Sequence, residues 1–329
     1  MPVIDGDGDG AAALAAAAQR LAEGGLVAFP TETVYGLGAR ADDDAAVARI
    51  FAAKGRPTEH PLIVHVANAE AAVYFANSLS PDAQRLMAAF WPGPLTLIVP
   101  RRPGVAAAAA GGQDSIGLRL PAHPLAQALL AEAARCGVPG VAAPSANRFG
   151  RVSPTTAAHV VQEFGPDLMV LDGGRCPVGI ESAIVDCSRE QPTLLRPGQL
   201  SRLQIEAVLG HALATPDAAS PRASGTLVSH YATAAAVRLW RRSALQQRLL
   251  AAPPAGEVIA VYSRLIPAAE LGWVHRAMPE TAAAAAHELF AVMRDLDQAG
   301  VAAIWVESPP PGAEWDGVRD RLERAAASA

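Results

Sequence analysis

Short apolar runs alternate with amphipathic stretches over residues 1–205, a pattern typical of an α/β domain. Apolar residues repeat on one face of Asp43–Lys54, which predicts a helix that Asp42 can cap. Two further helices are predicted, Leu125–Arg135 and Thr155–Phe164. The predicted strands are Leu26–Phe29, Leu62–Val66, Leu95–Val99, Ile116–Leu120, Val138–Ala143, Leu168–Leu171 and Ala183–Asp186.

The hydrophobic periodicity stops between His211 and Thr233, in a segment rich in Pro, Ser, Ala and Gly. A structureless connection of this length is usually a spacer or a functional lid. Beyond it a smaller α/β domain is predicted, with strands and helices at Val237–Trp240, Ala244–Leu250, Val258–Tyr262, Thr281–Asp297, Val301–Val306 and Trp315–Ala327. The predicted division is therefore a first domain at 1–210, a linker or lid at 211–233 and a second domain at 234–329.

Composition excludes several classes of protein. Hydrophobic residues make up 51% of the chain and charged residues 18%, which excludes wholesale disorder. No apolar run is long enough to cross a membrane, and the acidic start, Met1–Gly10, is unlike a signal peptide, so we predict a cytoplasmic protein. Three cysteines without a CxxC pair indicate reduced thiols rather than disulfides or a zinc site. A net charge of -5 predicts no large nucleic-acid footprint.

The chain contains a single lysine. Of its 27 lysine and arginine residues, all but Lys54 are arginine. Since every other basic residue is arginine, the one lysine suggests that its position needs an ammonium. The compact ammonium of lysine and the wide, planar guanidinium of arginine are not interchangeable beside a phosphate. Chance retention on a solvated helix is the alternative.

Common nucleotide and hydrolase motifs are missing from the sequence: GxxxxGK[ST], a complete GxGxxG, GxSxG and HExxH. Polar clusters at the ends of predicted strands remain. In FPTETVYGLGA, the alternating Thr31, Thr33 and Tyr35 can project three hydroxyls to one side of a cleft. The alternative is that they form the solvent-exposed face of a strand. In AKGRPTEHPLIVHV, Lys54 and Arg56 flank Gly55 and predict a polyphosphate cradle on an extended loop, or else a solvated charge pair.

Three further positions carry candidate chemistry. Ser145, Asn147 and Ser153 follow a buried strand, where α/β sheets bind ligands, although an Asx- or Ser-turn is the structural alternative. Arg119 lies inside an apolar strand and needs an anionic partner from the protein or from a ligand. Arg196 precedes Pro-Gly and can equally be a surface turn.

Together these segments resemble one family, the long, two-domain L-threonylcarbamoyladenylate synthases, whose catalytic half is a YrdC-like domain. The match covers nearly all of residues 14–233 and includes, in order, FPTETVYGLG, KGRP, PLIVHV, WPGPLTLI, GLRLPAHP, APSAN, SPT, GGRCPVGIES, LRPG and SHYAT. The resemblance implies a twisted mixed α/β sheet with flanking helices, followed by a smaller Rossmann-like α/β domain.

The resemblance also implies the reaction: L-threonine, bicarbonate or CO₂, and ATP give threonylcarbamoyl-AMP and pyrophosphate, for N6-threonylcarbamoylation of adenosine 37 in tRNA. It implies that Lys54 and Arg56 are catalytic and, with Ser145 and Asn147, hold the triphosphate. The other ATP-binding residues implied are His60, Ser115, Ser153, Arg196 and Tyr231, the last folding back from the lid. The threonine-binding residues implied are Thr33, His65, Arg119 and Ser182, with Arg119 facing the carboxylate.

Mg²⁺ is expected to arrive with ATP, with no metal ligands assigned in the chain, and a tRNA threonylcarbamoyl transferase is the expected transient partner. Four positions depart from the family pattern: His60 for Asn, Ser115 for Thr, Ala183 for Thr and Thr233 for Pro. An RNA-binding YrdC-like module without synthase activity is the alternative, against which the net charge of -5 and 5% aromatic residues speak. A third interpretation is carbamoyl transfer in hydrogenase maturation, but this chain lacks the cysteines of the zinc-finger-like modules found in that class.

Overall fold

The computed structural model describes residues 4–5, 10–254, 256–266 and 272–328. The chain forms two compact units. The larger comprises Met1–Phe149 and Ser153–Thr226, and the smaller comprises Gly150–Val152 and Leu227–Ala329. The segment 211–233 is thus divided between the two units.

The larger unit is built on a ten-stranded mixed sheet with the order β1-β8-β2-β3-β7-β4-β6-β5-β9-β10. Its strands are β1 Ile4–Asp5, β2 Val27–Phe29, β3 Gly36–Arg40, β4 Ile63–His65, β5 Leu95–Pro100, β6 Ser115–Arg119, β7 Val141–Ala142, β8 Met169–Asp172, β9 Ala183–Asp186 and β10 Thr193–Arg196. Its helices are α1 Gly10–Ala22, α2 Asp44–Lys54, α3 Ala72–Phe75, α4 Pro81–Phe90, α5 Pro124–Arg135, α6 Ala157–Phe164 and α7 Arg202–Leu209.

Helices cover both faces of this sheet. The evidence is that successive residues of one strand, which point to opposite faces, belong to different apolar clusters that include helices. Val27 and Phe29 of β2 pack with residues of α1 and α5. Ala28, between them, packs in the larger cluster that contains residues of α2 and α4. The predicted mixed sheet with flanking helices is confirmed. Each strand predicted in this unit overlaps an observed one, although Val138–Ala143 is reduced to the two residues of β7.

The start of α2 differs from the prediction. Asp43, not Asp42, caps the helix, since its carboxylate accepts hydrogen bonds from the backbone N–H groups of Ala45 and Ala46. Asp42 is instead paired with Arg40, at 3.0 Å. At the other end Gly55 adopts a left-handed φ of 62°, and the Arg56 N–H returns to the Phe51 carbonyl. This glycine-dependent cap ends the helix directly after Lys54.

The smaller unit contains a four-stranded sheet in which every pair is parallel, with the order β11-β14-β12-β13. Its elements are β11 Ala236–Trp240, α8 Arg242–Arg248, β12 Ile259–Ser263, β13 Val274–Ala277, α9 Ala282–Gln298, β14 Ala303–Glu307 and α10 Asp316–Ala326. The predicted smaller α/β domain is confirmed, with β13 as an unpredicted strand. Within the described ranges, no helix combines the length and apolar character needed to cross a membrane.

Candidate active site

Lys54 lies at the end of α2 and is almost completely buried, with 3% of its surface exposed. Its Nζ donates to the Ser145 carbonyl at 2.6 Å and to the Asn147 carbonyl. Lys54 is the last residue of α2, as the predicted helix has it, and only Arg56 follows the turn at Gly55. The expectation that both cations leave an extended loop is therefore wrong. Ammonium has three donors. Two of them are held by the loop after β7, and no other described residue accepts the third, which leaves it for a ligand.

Two buried cations accompany Lys54. Arg56 and Arg196 are 7% and 2% exposed. Burial and the charge of Arg56 hold the pKa of Lys54 well below its ordinary value, against an opposing effect of Glu163 and Glu181. Burial and Arg196 lower the pKa of Arg56 to about 10. Cations that repel one another away from water are unfavourable without an anion, so this group is suited to a polyanionic ligand.

Aromatic rings flank Arg56. Its guanidinium lies 5.6 Å from the centroid of the Phe149 ring, and His60 meets the same ring edge-on at 5.4 Å. The backbone N–H of Phe149 donates to the Lys54 carbonyl. His60 is only partly buried, and its pKa is lowered by burial and by Arg56. Phe149, which the sequence analysis did not single out, therefore sits between the end of α2 and Arg56.

Arg196 connects three parts of the larger unit. Its Nε and Nη2 donate to the Ser182 carbonyl at 3.0 and 2.9 Å, and Nη2 also lies 3.2 Å from Ser182 Oγ. Its Nη1 donates to the carbonyl of Ser224 at 2.8 Å. Arg56 reaches the Ser224 hydroxyl from the other side at 3.4 Å. The surface-turn interpretation of Arg196 is wrong, because β10 and the residues after it carry the side chain into the interior.

A cavity lies next to Ser224, which both Arg56 and Arg196 contact. Residues of β4, β5, β6 and β9 line it together with the segment 222–224. Gln113 holds this segment by accepting from the Arg222 N–H at 2.8 Å and donating to the Arg222 carbonyl at 3.1 Å. The cavity is lined by Pro61, Leu62, Ile63, Thr96, Ile98, Gln113, Ser115, Gly117, Ile184, Arg222, Ala223 and Ser224.

Arg119 has a protein anion as its partner. Glu32, within the first motif, lies 2.6 Å from Arg119 Nη2, and both side chains are buried. The second carboxylate oxygen of Glu32 accepts from the Ala122 N–H at 3.0 Å. Sequence reasoning missed Glu32, although its place between two candidate threonines was a usable signal. The pairing fixes one edge of the guanidinium, whose Nε also donates to the Gly93 carbonyl.

His65 lies opposite Arg119 in the pairing of β4 with β6. It is 3% exposed, and within the described part of the chain its Nδ1 has no hydrogen-bond partner. Burial and Arg119 lower its pKa to about 3, so the imidazole is neutral at neutral pH. A buried polar atom without a partner is a place where a ligand atom can bind.

The first motif does not present three hydroxyls together. Thr31 and Thr33 hydroxyls lie 2.8 Å apart, but the Tyr35 hydroxyl donates to Asp172 and to the Gly174 carbonyl. The strand ends at Phe29, and a turn replaces the expected alternation. Only Thr33, with no exposed surface, remains a candidate from this motif.

The loop after β7 contributes chiefly through its backbone. Ser145 and Asn147 present carbonyl oxygens to Lys54, and the Asn147 amide donates to the Arg148 carbonyl. Ser153 donates to the carboxylate of Glu181, a residue that the sequence analysis also missed. Ser115, at the start of β6, lines the cavity.

Tyr231 belongs to the smaller unit. It is buried, and its ring stacks on Phe290 with centroids 5.1 Å apart. Its φ of 63° is unusual for a residue with a side chain. Its assignment to the nucleotide stays a prediction. Among the residues described, no group of three or more His, Cys, Asp or Glu side chains could hold a metal ion.

Comparison with known proteins gives two family matches. The profile described as "Telomere recombination" matches residues 19–198, and that of "Threonylcarbamoyl-AMP synthase, C-terminal domain" matches residues 200–327. The chain is 37% identical to the threonylcarbamoyl-AMP synthase of Pyrococcus abyssi over 322 residues, which cover 94% of this chain and 92% of the relative.

Two solved structures of the P. abyssi protein, Sua5, are similar over almost the whole chain. The complex with L-threonine has a TM-score of 0.86 at 35% identity, covering 96% of this chain and 94% of that one. A variant with neighbouring histidine and tyrosine replaced by alanine has a TM-score of 0.89 at 34% identity, covering 100% and 97%.

Proposed function

The chain belongs to the threonylcarbamoyl-AMP synthase family, and from this premise we propose how its residues divide between the substrates. As a nucleotidyltransferase of this family, it joins L-threonine and bicarbonate or CO₂ to the AMP part of ATP and releases pyrophosphate. The product serves the threonylcarbamoyl modification of tRNA.

The triphosphate is held by Lys54, Arg56 and Arg196. The observation that carries this assignment is the burial of three neighbouring cations, two with lowered pKa values, in a chain of net charge -5. A triphosphate brings negative charge to these neighbouring cations and can engage the remaining donor of Lys54. The other ATP-binding residues proposed are His60, Ser115, Ser145, Asn147, Ser153 and Tyr231.

L-Threonine is held by Arg119, His65, Thr33 and Ser182. The similar P. abyssi structure contains L-threonine, which supports a site for this amino acid in the fold. Arg119 faces the carboxylate and remains oriented by Glu32, while the neutral His65 offers a buried nitrogen to a polar group of the substrate. Arg196 donates to Ser182, so the proposed ATP and threonine residues are in direct contact.

The reaction needs positioning and charge stabilisation rather than a protein nucleophile. The threonine amine loses a proton and bonds to CO₂ to form a carbamate. A carbamate oxygen then attacks the α-phosphorus in line, the bond to the bridging oxygen breaks, and pyrophosphate leaves with its electron pair. Lys54, Arg56 and Arg196 stabilise the charge that develops on the phosphoryl oxygens. Mg²⁺ is proposed to arrive with ATP, as part of the substrate.

The segment 211–233 is proposed to be a lid between a catalytic domain at 1–210 and a second domain at 234–329. Its residues Arg222 and Ser224 already contact Gln113, Arg56 and Arg196 in the larger unit. The chain's single neighbouring His-Tyr pair is His230-Tyr231, in the same segment, and the P. abyssi variant lacks a pair of this kind. Further proposals are a cytoplasmic location, weak tRNA binding and transient contact with a threonylcarbamoyl transferase.

The test is pyrophosphate release by the purified protein with ATP and bicarbonate. We expect release that depends on L-threonine and is much slower with L-serine. Release that is independent of the amino acid would contradict the threonine assignment. Absence of release, together with tRNA retained at physiological salt, would favour an RNA-binding module instead.

A further inference from the structure

Thr96, on β5, belongs to none of the groups assigned so far. Its side chain is completely buried and lines the cavity, and its hydroxyl lies 2.8 Å from Ser182 Oγ. Within the described part of the chain, this is the only hydrogen bond that the Thr96 hydroxyl makes.

The described residues do not provide an acceptor for both hydroxyl protons of this pair. Arg196 only donates, so Ser182 Oγ accepts from it at 3.2 Å. The hydroxyls of Ser182 and Thr96 then share one bond between two donor protons. If Ser182 donates to Thr96, the Thr96 proton has no acceptor among the described residues; in the reverse direction, the Ser182 proton has none. One acceptor is therefore missing from the buried pair.

The position of the cavity indicates which of the two hydroxyl protons lacks an acceptor within the protein. Thr96 lines it and Ser182 does not, so the direction Arg196 to Ser182 to Thr96 places the excess proton on the residue that borders the cavity. In this direction a guanidinium polarises both hydroxyls, which strengthens the donor at the end of the chain. The missing acceptor is then an oxygen of the ligand, and an anionic oxygen makes the strongest bond.

We propose that Thr96 is a further substrate-binding residue, which donates a hydrogen bond to an anionic oxygen at the end of the relay Arg196–Ser182–Thr96. The oxygen belongs either to the carboxylate of L-threonine or to a phosphate group of ATP. This inference rests on the proposed function of the cavity.

The test measures the affinity of L-threonine and of ATP separately by calorimetry, without bicarbonate, for Thr96→Val and Thr96→Ser. Valine has the shape of threonine but no hydroxyl. We expect Thr96→Val to weaken one substrate by about 10-fold or more, and Thr96→Ser to stay within about 3-fold of the unmodified protein. The substrate that is weakened identifies the oxygen: threonine for a carboxylate, ATP for a phosphate.

Thr193→Val is the matched control. Thr193 is equally buried, but its hydroxyl bonds to the Gln191 carbonyl and to Arg189. We expect both affinities to be unchanged there, and thermal unfolding to verify that every variant is folded. Unchanged affinities in Thr96→Val, or equal losses in Thr96→Val and Thr96→Ser, would overturn the proposal.

Two other variants separate this proposal from the proposed function. If Arg196→Lys and Ser182→Ala weaken binding while Thr96→Val does not, only the role of Thr96 is wrong. If all three bind both substrates normally, the proposed site itself is wrong. The relay further requires that Thr96→Val has less effect in the Arg196→Lys background than in the unmodified protein.

Discussion

Replacing Lys54 by arginine keeps a positive charge but changes the shape of the group that carries it. In the structure, the ammonium fits between two backbone carbonyls, of Ser145 and Asn147, and is nearly excluded from water. A planar guanidinium is wider and directs its donors in one plane, so it cannot keep both carbonyl bonds and also direct a donor towards a phosphate. The fold should survive, because overpacking of a buried site typically costs about 1–3 kcal/mol.

The expected loss follows from one charge-assisted hydrogen bond to the triphosphate. Such a bond contributes about 1.5–3 kcal/mol, so kcat/KM for ATP should fall by about 10- to 150-fold in Lys54→Arg. Pyrophosphate release gives the rate, and circular dichroism with thermal unfolding verifies the fold. The KM for threonine should change much less.

Arg49→Lys is the matched control on the same helix. Arg49 is exposed, and its guanidinium donates to the Gly24 carbonyl at 2.6 Å. The reverse exchange should leave kcat/KM for ATP unchanged. Near-native turnover of Lys54→Arg would refute the argument that this site requires an ammonium.

Three further predictions concern the substrates and the lid. Arg119→Ala should raise the KM for threonine by about 10- to 150-fold and the KM for ATP far less, and equal effects in steady-state kinetics would contradict its placement at the carboxylate. Because burial and Arg56 lower the pKa of Lys54 and a phosphate would raise it, ATP binding should take up protons. Affinity should then fall as pH rises from the lowered pKa to the restored one, and calorimetry in buffers of different ionisation enthalpy should detect the uptake; pH-independent binding without uptake would contradict the prediction. ATP with threonine should protect 211–233 from protease, and unchanged cleavage would count against a lid.

The strands and the two domains could be predicted because each depends on short-range periodicity. Leu95–Val99 and Ala183–Asp186 are apolar runs bounded by turn residues, and the structure has strands there. β3 is an exception: its sequence, GLGAR, lacks β-branched residues, and its neighbours in the sheet, β2 and β7, determine its conformation. The cap of α2 is Asp43 rather than its neighbour Asp42, because hydrophobic periodicity does not determine the first residue of a helix to within one position.

The charges of the site could be identified from the sequence, but their partners could not. Arg119 needed an anion, and the choice between protein and ligand depended on Glu32, which is distant in sequence and close only in the folded chain. Lys54 was recognised by its rarity, whereas its contacts with backbone carbonyls depend on the loop after β7. The pairing of His65 with Arg119 follows from the order of β4 and β6 in the sheet.

The buried cations also explain why this site departs from what stability alone would favour. Without substrate, Lys54, Arg56 and Arg196 lie close enough for neighbouring charges to lower the pKa values of two of them. Burial of such charges opposes folding, and the carbonyls of Ser145 and Ser182, with the charges of Glu163 and Glu181, act against this effect. If a triphosphate binds here as proposed, it reduces the repulsion, and part of its affinity then comes from an unfavourable arrangement that the fold maintains in its absence. Replacing any one of these cations by a neutral side chain should relieve the repulsion in the free protein while weakening ATP binding.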